Sequence, residues 1–160
     1  MMKELTEKEV LSRLQTLCAR SEHCSHEMRE KMMRWGVASD VQDKIVDRLI
    51  DDKFIDDERF ARVFISDKLR FNHWGRRKIE QALFQKRIPK QISQPILNEI
   101  TDQEYIEQLL PLIKSKRKSL SSVEDDYELR QRLVRFALQR GFTFDVIRQV
   151  IDGADDFDFE

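Results

Sequence analysis

The chain has 160 residues, 40% of them hydrophobic and 37% charged, with four Gly, three Pro and a formal net charge of −1. That is enough for one or two small cores and too little for a large two-domain enzyme. So few turn-formers exclude an all-β sandwich, and no apolar run approaches the ~20 residues that cross a bilayer.

Taken in chain order, the opening MMKELTEKEV is charged throughout and lacks the apolar stretch of a secretory signal, so a cytoplasmic protein is expected. A first helix is predicted over 7–21, opened by Thr6 with Glu9 at capping-box spacing. Ser25 is the expected N-cap of a helix over 25–35. Ser39 with Gln42 repeats the capping-box spacing at 39–52. Asp56 caps 57–72, and Gly75 opens 75–87. Pro89 suits the first position of 89–99, where its missing N–H would have no partner. Thr101 with Glu104 marks the start of 102–118; helices over 124–140 and 143–152 follow, the last capped by Thr143. Gly36, Gly75 and Gly141 fall between the periodic segments as breaks or C-terminal caps, and KSKRKSLSS (114–122) is the best linker candidate. No segment alternates with period two. The fold class is all-α.

A repeat organises these helices. Met28, Met32, Met33, Val37, Val41, Ile45, Val46 and Leu49 are matched about 51 positions later by Ile79, Leu83, Phe84, Ile88, Ile92, Ile96, Leu97 and Ile100. A third row runs through Leu133, Ala137, Leu138, Phe142, Val146, Val150 and Ile151. The apolar spacing describes a two-helix unit preceded by a third helix. Three tandem three-helix modules are expected, over 4–56, 57–100 and 101–152, in an elongated or curved arrangement with neighbours touching but not fused. An acidic tail with two phenylalanines follows over 153–160.

Bulk charge predicts no nucleic-acid binder, but its distribution is uneven. Residues 59–90 carry Arg59, Arg62, Lys68, Arg70, Arg76, Arg77, Lys78, Lys86, Arg87 and Lys90 against Asp67 and Glu80 alone. On a helical wheel of 57–72, Phe60, Ala61, Phe64, Ile65 and Phe71 share one arc, while Arg59, Arg62, Ser66 and Arg70 cluster opposite. The next helix opens on Arg76, Arg77 and Lys78, where cations oppose the macrodipole at ~0.3–1 kcal/mol each. That cost suggests charges held for a partner, either an acidic protein surface or a sugar-phosphate backbone. Aromatic residues for base stacking are few (Trp35, Trp74 and Phe71), and Trp74 reads better as inter-module packing.

No catalytic site is legible. There is no phosphate loop, nucleophile motif or histidine pair at ligand spacing, and no cofactor is expected. Asp51-Asp52 and Asp56-Asp57 are explained by helix ends without invoking Mg²⁺. Cys18 and Cys24 beside His23 and His26 lack the second ligand pair of a zinc site, and read as reduced core or boundary thiols beside exposed histidines.

Ile55-Asp56-Asp57-Glu58-Arg59-Phe60-Ala61, followed by Gly75-Arg76-Arg77-Lys78-Ile79 and Leu83, resembles the signature of the RecX regulatory proteins: "DDxxFA" opening one helix and "GxxxIxxxL" the next. Ser25-His26-Glu27-Met28 is similar to that family's "SxxEL" element, with Met for Leu. The resemblance covers about 10–152. Arg87 stands where a Gly before Ile88 would be usual, so a different turn is expected there. The resemblance implies a non-enzymatic, monomeric modulator of the RecA recombinase, lodged in the groove of the RecA–single-stranded-DNA filament and hindering its growth, ATP hydrolysis and strand exchange. Asp56, Asp57, Phe60, Ala61, Gly75, Ile79 and Leu83 are then structural. Arg59, Arg62, Arg70, Arg76, Arg77, Lys78, Lys86 and Arg87 are the expected partner contacts, with weak, non-specific DNA contact and no membrane. A general nucleic-acid-binding helical protein is the alternative.

Overall fold

The computed structural model describes residues 4–153, so the acidic segment beyond Gly153 lies outside the described residues. Among these, the chain forms α1 (Glu7–Arg20), α2 (Ser25–Arg34), α3 (Ser39–Asp51), α4 (Asp57–Arg70), α5 (Arg76–Gln85), α6 (Lys90–Asn98), α7 (Asp102–Ser119), α8 (Asp126–Gln139) and α9 (Phe144–Ile151), and no strand. None of these helices is long and apolar enough to cross a membrane.

Local chemistry accounts for most helix starts. Thr6, Asp56 and Thr143 accept from the backbone N–H of Glu9, Arg59 and Val146 at 3.1, 3.0 and 3.4 Å. Thr101 and Glu104 complete a reciprocal box, with Thr101 N–H donating to Glu104 Oε2 at 2.8 Å. Three starts differ from expectation: Pro89, expected at the first helical position, is instead the extended N-cap of α6. Ala38 rather than Ser39 is the N-cap of α3, and Gln42 turns back to donate to the Val37 carbonyl at 2.9 Å. Cys24 rather than Ser25 is the N-cap of α2, because Ser25 is drawn to another helix altogether. The expected linker is also shorter: α7 runs through Pro111 to Ser119, its last-turn Lys116, Arg117 and Lys118 favoured by the C-terminal dipole.

The second helix of each module ends in the same turn. Gly36, Arg87 and Gly141 adopt left-handed φ of 73°, 58° and 90°. In each case the following N–H reaches back five residues: Val37 to Met32, Ile88 to Leu83 and Phe142 to Ala137, at 2.9, 3.1 and 3.2 Å. Arg87 therefore does not alter the turn, as its sequence position suggested. It adopts the glycine conformation, at a cost of about 1 kcal/mol.

Val10, Leu14, Met28, Met32, Ile45, Val46, Leu49 and Ile55 form one core within α1–α3 and the turn before α4. The rest departs from three separate cores. A single cluster extends from Phe60, Ala61, Ile65 and Leu69 through Ile79, Leu83 and Leu97 to Leu109, Leu133, Phe142 and Val150. It is continuous because α4 packs on α7 as well as on α5 and α6. Ile79 and Leu83 of the motif are fully buried here, as are Ala61 and Leu97. Three residues of the repeat are not core at all. Met33, Phe84 and Leu138, which occupy the same place in each module, are 70%, 77% and 43% exposed. Phe71, expected on the anchoring arc of α4, is 77% exposed, since it is the C-cap and the helix has already ended.

Candidate partner-binding surface

The cationic residues of α4 and α5 do not stand as one free row. Arg59 turns toward α1–α2: its Nε donates to Glu22 Oε1 at 2.7 Å, and its Nη2 donates to the carbonyls of Lys53 and Phe54 at 3.2 and 3.3 Å. Beside it, Asp57 Oδ1 accepts from the N–H and hydroxyl of Ser25, at 2.8 and 3.2 Å. The two aspartates of the motif thus divide the work. Asp56 caps its own helix, and Asp57 supplies an acceptor to the first turn of α2.

Lys86 closes the same junction from α5. Its Nζ meets Glu27 Oε2 at 3.0 Å, while Glu27 Oε1 accepts from Cys24 N–H at 3.1 Å and the Cys24 thiol points at the Lys86 carbonyl, 3.7 Å away. Burial acts to raise the Glu27 pKa, but the Lys86 ammonium and the Cys24 N–H outweigh it and hold the carboxyl below its ordinary value. Burial pushes the Cys24 thiol up to about 12, leaving it a protonated core group. Cys18 contacts Met28 sulfur, and His23 and His26 are half-buried beside Glu27 and Glu30 rather than exposed. No group of three or more His, Cys, Asp or Glu able to hold a metal occurs among the described residues.

The start of α5 is held differently. Gly75 N–H donates to the Arg140 carbonyl at 2.8 Å and Arg77 N–H to the Gly141 carbonyl at 2.9 Å. The carbonyl end of α8 therefore abuts the amide end of α5, so the two termini satisfy each other. This changes the meaning of Arg76, Arg77 and Lys78. Part of the cost of placing cations there is offset by the negative end of α8, so their position is not by itself a sign of a partner. A methyl group at Gly75 would lie 2.3 Å from both Phe142 Cα and Phe142 N, and one at Gly141 would lie 2.3 Å from Lys78 Cβ. The motif glycine is there to let two backbones meet.

The remaining cations sort by partner. Arg76 bonds to Glu80, Gln94 and Asn98. Lys78 lies over the Trp74 ring at 4.7 Å, with Lys68 over the same ring at 4.9 Å; Trp74 is half-buried against the shared core, as inter-module packing requires. Arg62, half exposed, pairs with Glu58 and Glu99 and shares a groove of about 240 Å³ with Arg70 and Glu104. Arg70, Arg77 and Arg87 are exposed, and their side chains make no ion pair or hydrogen bond with the described residues. The eight expected contacts are therefore distributed over several places. Arg59 and Lys86 tie the first module to the second, and three arginines are left facing solvent. Glu22, Glu27 and Glu99 were missed as their partners, because no local spacing links them.

Three tandem three-helix units, joined through paired helix ends and half-buried polar contacts, define a helical-repeat protein with a charged exterior. Family models described as the first, second and third three-helix domains of RecX match residues 15–49, 56–94 and 102–151. A protein named regulatory protein RecX from Clostridium botulinum (strain Eklund 17B / Type B) is 33% identical over 133 residues, 82% of this chain and 62% of that one. Another of the same name from Acinetobacter baylyi is 31% identical over 148 residues, 92% and 89% of the two chains. The crystal structure of RecX from Lactobacillus salivarius shares the fold with a TM-score of 0.84 at 20% identity, covering 94% of this chain and 97% of its own. The chain belongs to the RecX family of regulatory proteins. It spans about three fifths of the length of the clostridial relative.

Proposed function

We propose that the chain binds the RecA–single-stranded-DNA filament and restrains recombinase ATP hydrolysis and strand exchange, without chemistry of its own, as a regulator of DNA repair and recombination. The observation that carries this reading is the unpaired set Arg70, Arg77 and Arg87 on the middle module of a RecX-family chain. Guanidinium groups with no carboxylate partner among the described residues keep their full capacity for bidentate contacts to a partner's carboxylates or phosphates. Arg62 and Lys78, half exposed or resting on Trp74, are secondary contacts that would exchange internal partners on binding. Arg59, Arg76 and Lys86 act structurally, by holding modules and helices in register. Because the modules are tied to one another, weak contacts on each add as avidity along a repeating filament.

The test is a titration into RecA filaments with ATP hydrolysis followed. Wild type inhibits, and Arg70→Glu/Arg77→Glu needs about tenfold more protein while keeping the wild-type helical circular dichroism and melting temperature. No inhibition by wild type where filaments form would overturn the proposal. Equal affinity for bare and RecA-coated strands, with a log–log salt slope near −0.7 per phosphate neutralised, would instead make the chain a general single-strand binder.

A further inference from the structure

We infer that the turn between α5 and α6 is a docking groove for a protein segment that presents an apolar side chain flanked by carboxylates. The groove, of about 610 Å³, is lined by Phe84, Gln85, Arg87, Ile88, Pro89 and Lys90. Phe84 forms an exposed wall, Ile88 joins the lining from the core side, and Arg87 and Lys90 are the cations at its edge. Among the described residues no carboxylate lines it, and neither cation has an ion pair or side-chain hydrogen bond. An apolar wall with two unneutralised cations matches an acidic segment with an apolar anchor. Phosphate backbones need a longer run of cations than two, and a single exposed ring, Phe84, set in a concave groove beside Ile88 and Pro89 is not a series of stacking platforms.

Two comparisons within the molecule show that folding does not account for the residues of this groove. Folding does not require Phe84, whose counterparts Met33 and Leu138 are also exposed and whose neighbour Leu83 fills the core. Folding also disfavours Arg87: the other two modules place glycine at that left-handed position, and Arg87 shares such a φ with Lys53 and His73 at other helix ends.

The inference rests on the filament-binding proposal and assigns one of its contacts. The experiment measures binding of dye-labelled protein to RecA-coated and to bare oligo-dT strands, for wild type, Phe84→Ser and Arg87→Gly. Arg87→Gly relieves the backbone strain, so it melts no lower than wild type, and any loss of affinity cannot come from unfolding. Both variants are expected to bind coated strands about tenfold more weakly and bare strands unchanged. Raising the salt shrinks the Arg87→Gly effect and leaves that of Phe84→Ser. Wild-type binding to coated strands with both variants unaffected refutes the groove and leaves the proposed function standing; absence of wild-type binding refutes both. Parallel loss on bare strands would show a nucleic-acid contact and overturn the assignment to protein.

Discussion

Gly75→Ala puts a methyl group where the turn after α8 already lies. The added carbon would sit 2.3 Å from Phe142 Cα and N and 2.5 Å from the Gly141 carbonyl carbon, all backbone atoms that no rotamer change can move. Gly75 has φ −84°, a value that alanine adopts freely, so the whole cost is steric. Relief requires α5 and α8 to separate, which lengthens the Gly75 N–H to Arg140 and Arg77 N–H to Gly141 hydrogen bonds and loosens Phe142, a fully buried residue. Each buried amide left unsatisfied costs about 1–3 kcal/mol, so a total of about 3–5 kcal/mol is expected. Gly36→Ala is the internal control. It has nothing within 4 Å of the new methyl but a φ of 73°, so its cost is the conformational one, about 1 kcal/mol. Equilibrium urea unfolding followed by circular dichroism measures both. Equal losses for the two variants, or a Gly75→Ala loss below about 1 kcal/mol, would refute the head-to-tail contact between α8 and α5 as the reason for this glycine.

Three further outcomes follow from one half-buried and one buried polar group. Glu27 has its pKa held down in the folded state, so its contribution is present above its ordinary carboxylate range and is lost as pH falls through the lower folded value; wild type should therefore lose more stability than Glu27→Gln on acidification below 4.5. At neutral pH the same variant costs about 1–3 kcal/mol, because Lys86 is left without its carboxylate; an unchanged melting curve at both pH values would contradict the junction described. Tyr105 is 3% exposed and its hydroxyl has no hydrogen-bond partner among the described residues, burial being the main reason its pKa is pushed up to about 12. Tyr105→Phe should leave stability unchanged or raise it by up to about 1 kcal/mol, and a clear fall in melting temperature would show that the hydroxyl is satisfied after all.

Periodicity and capping chemistry were enough to place every helix. Hydroxyl or carboxylate caps and glycine stops act within four residues, so Thr6, Asp56, Thr101 and Gly141 can be read without knowing what lies across the fold. The shared turn of the three modules was half legible: the repeat showed its place, but not that Arg87 would take a left-handed conformation against its intrinsic preference. Apolar character alone misjudged Phe71, Phe84, Met33 and Leu138, because a wheel gives a residue's phase and not whether anything is packed against that phase.

Charge is where the three-dimensional arrangement had the larger say. Arg59 meets Glu22 across 37 residues, Arg62 meets Glu99 across 37, and Lys86 meets Glu27 across 59. Two of these pairs join the first module to the second and the third joins α4 to the end of α6, so they are set by how helices dock and not by any spacing along one helix. Composition set how many positive groups the middle module carries. Docking decided which of them are neutralised within the protein and left Arg70, Arg77 and Arg87 facing water. The reason is range: caps and periodicity act over one or two turns of helix, whereas an ion pair forms wherever folding brings opposite charges within about 4 Å.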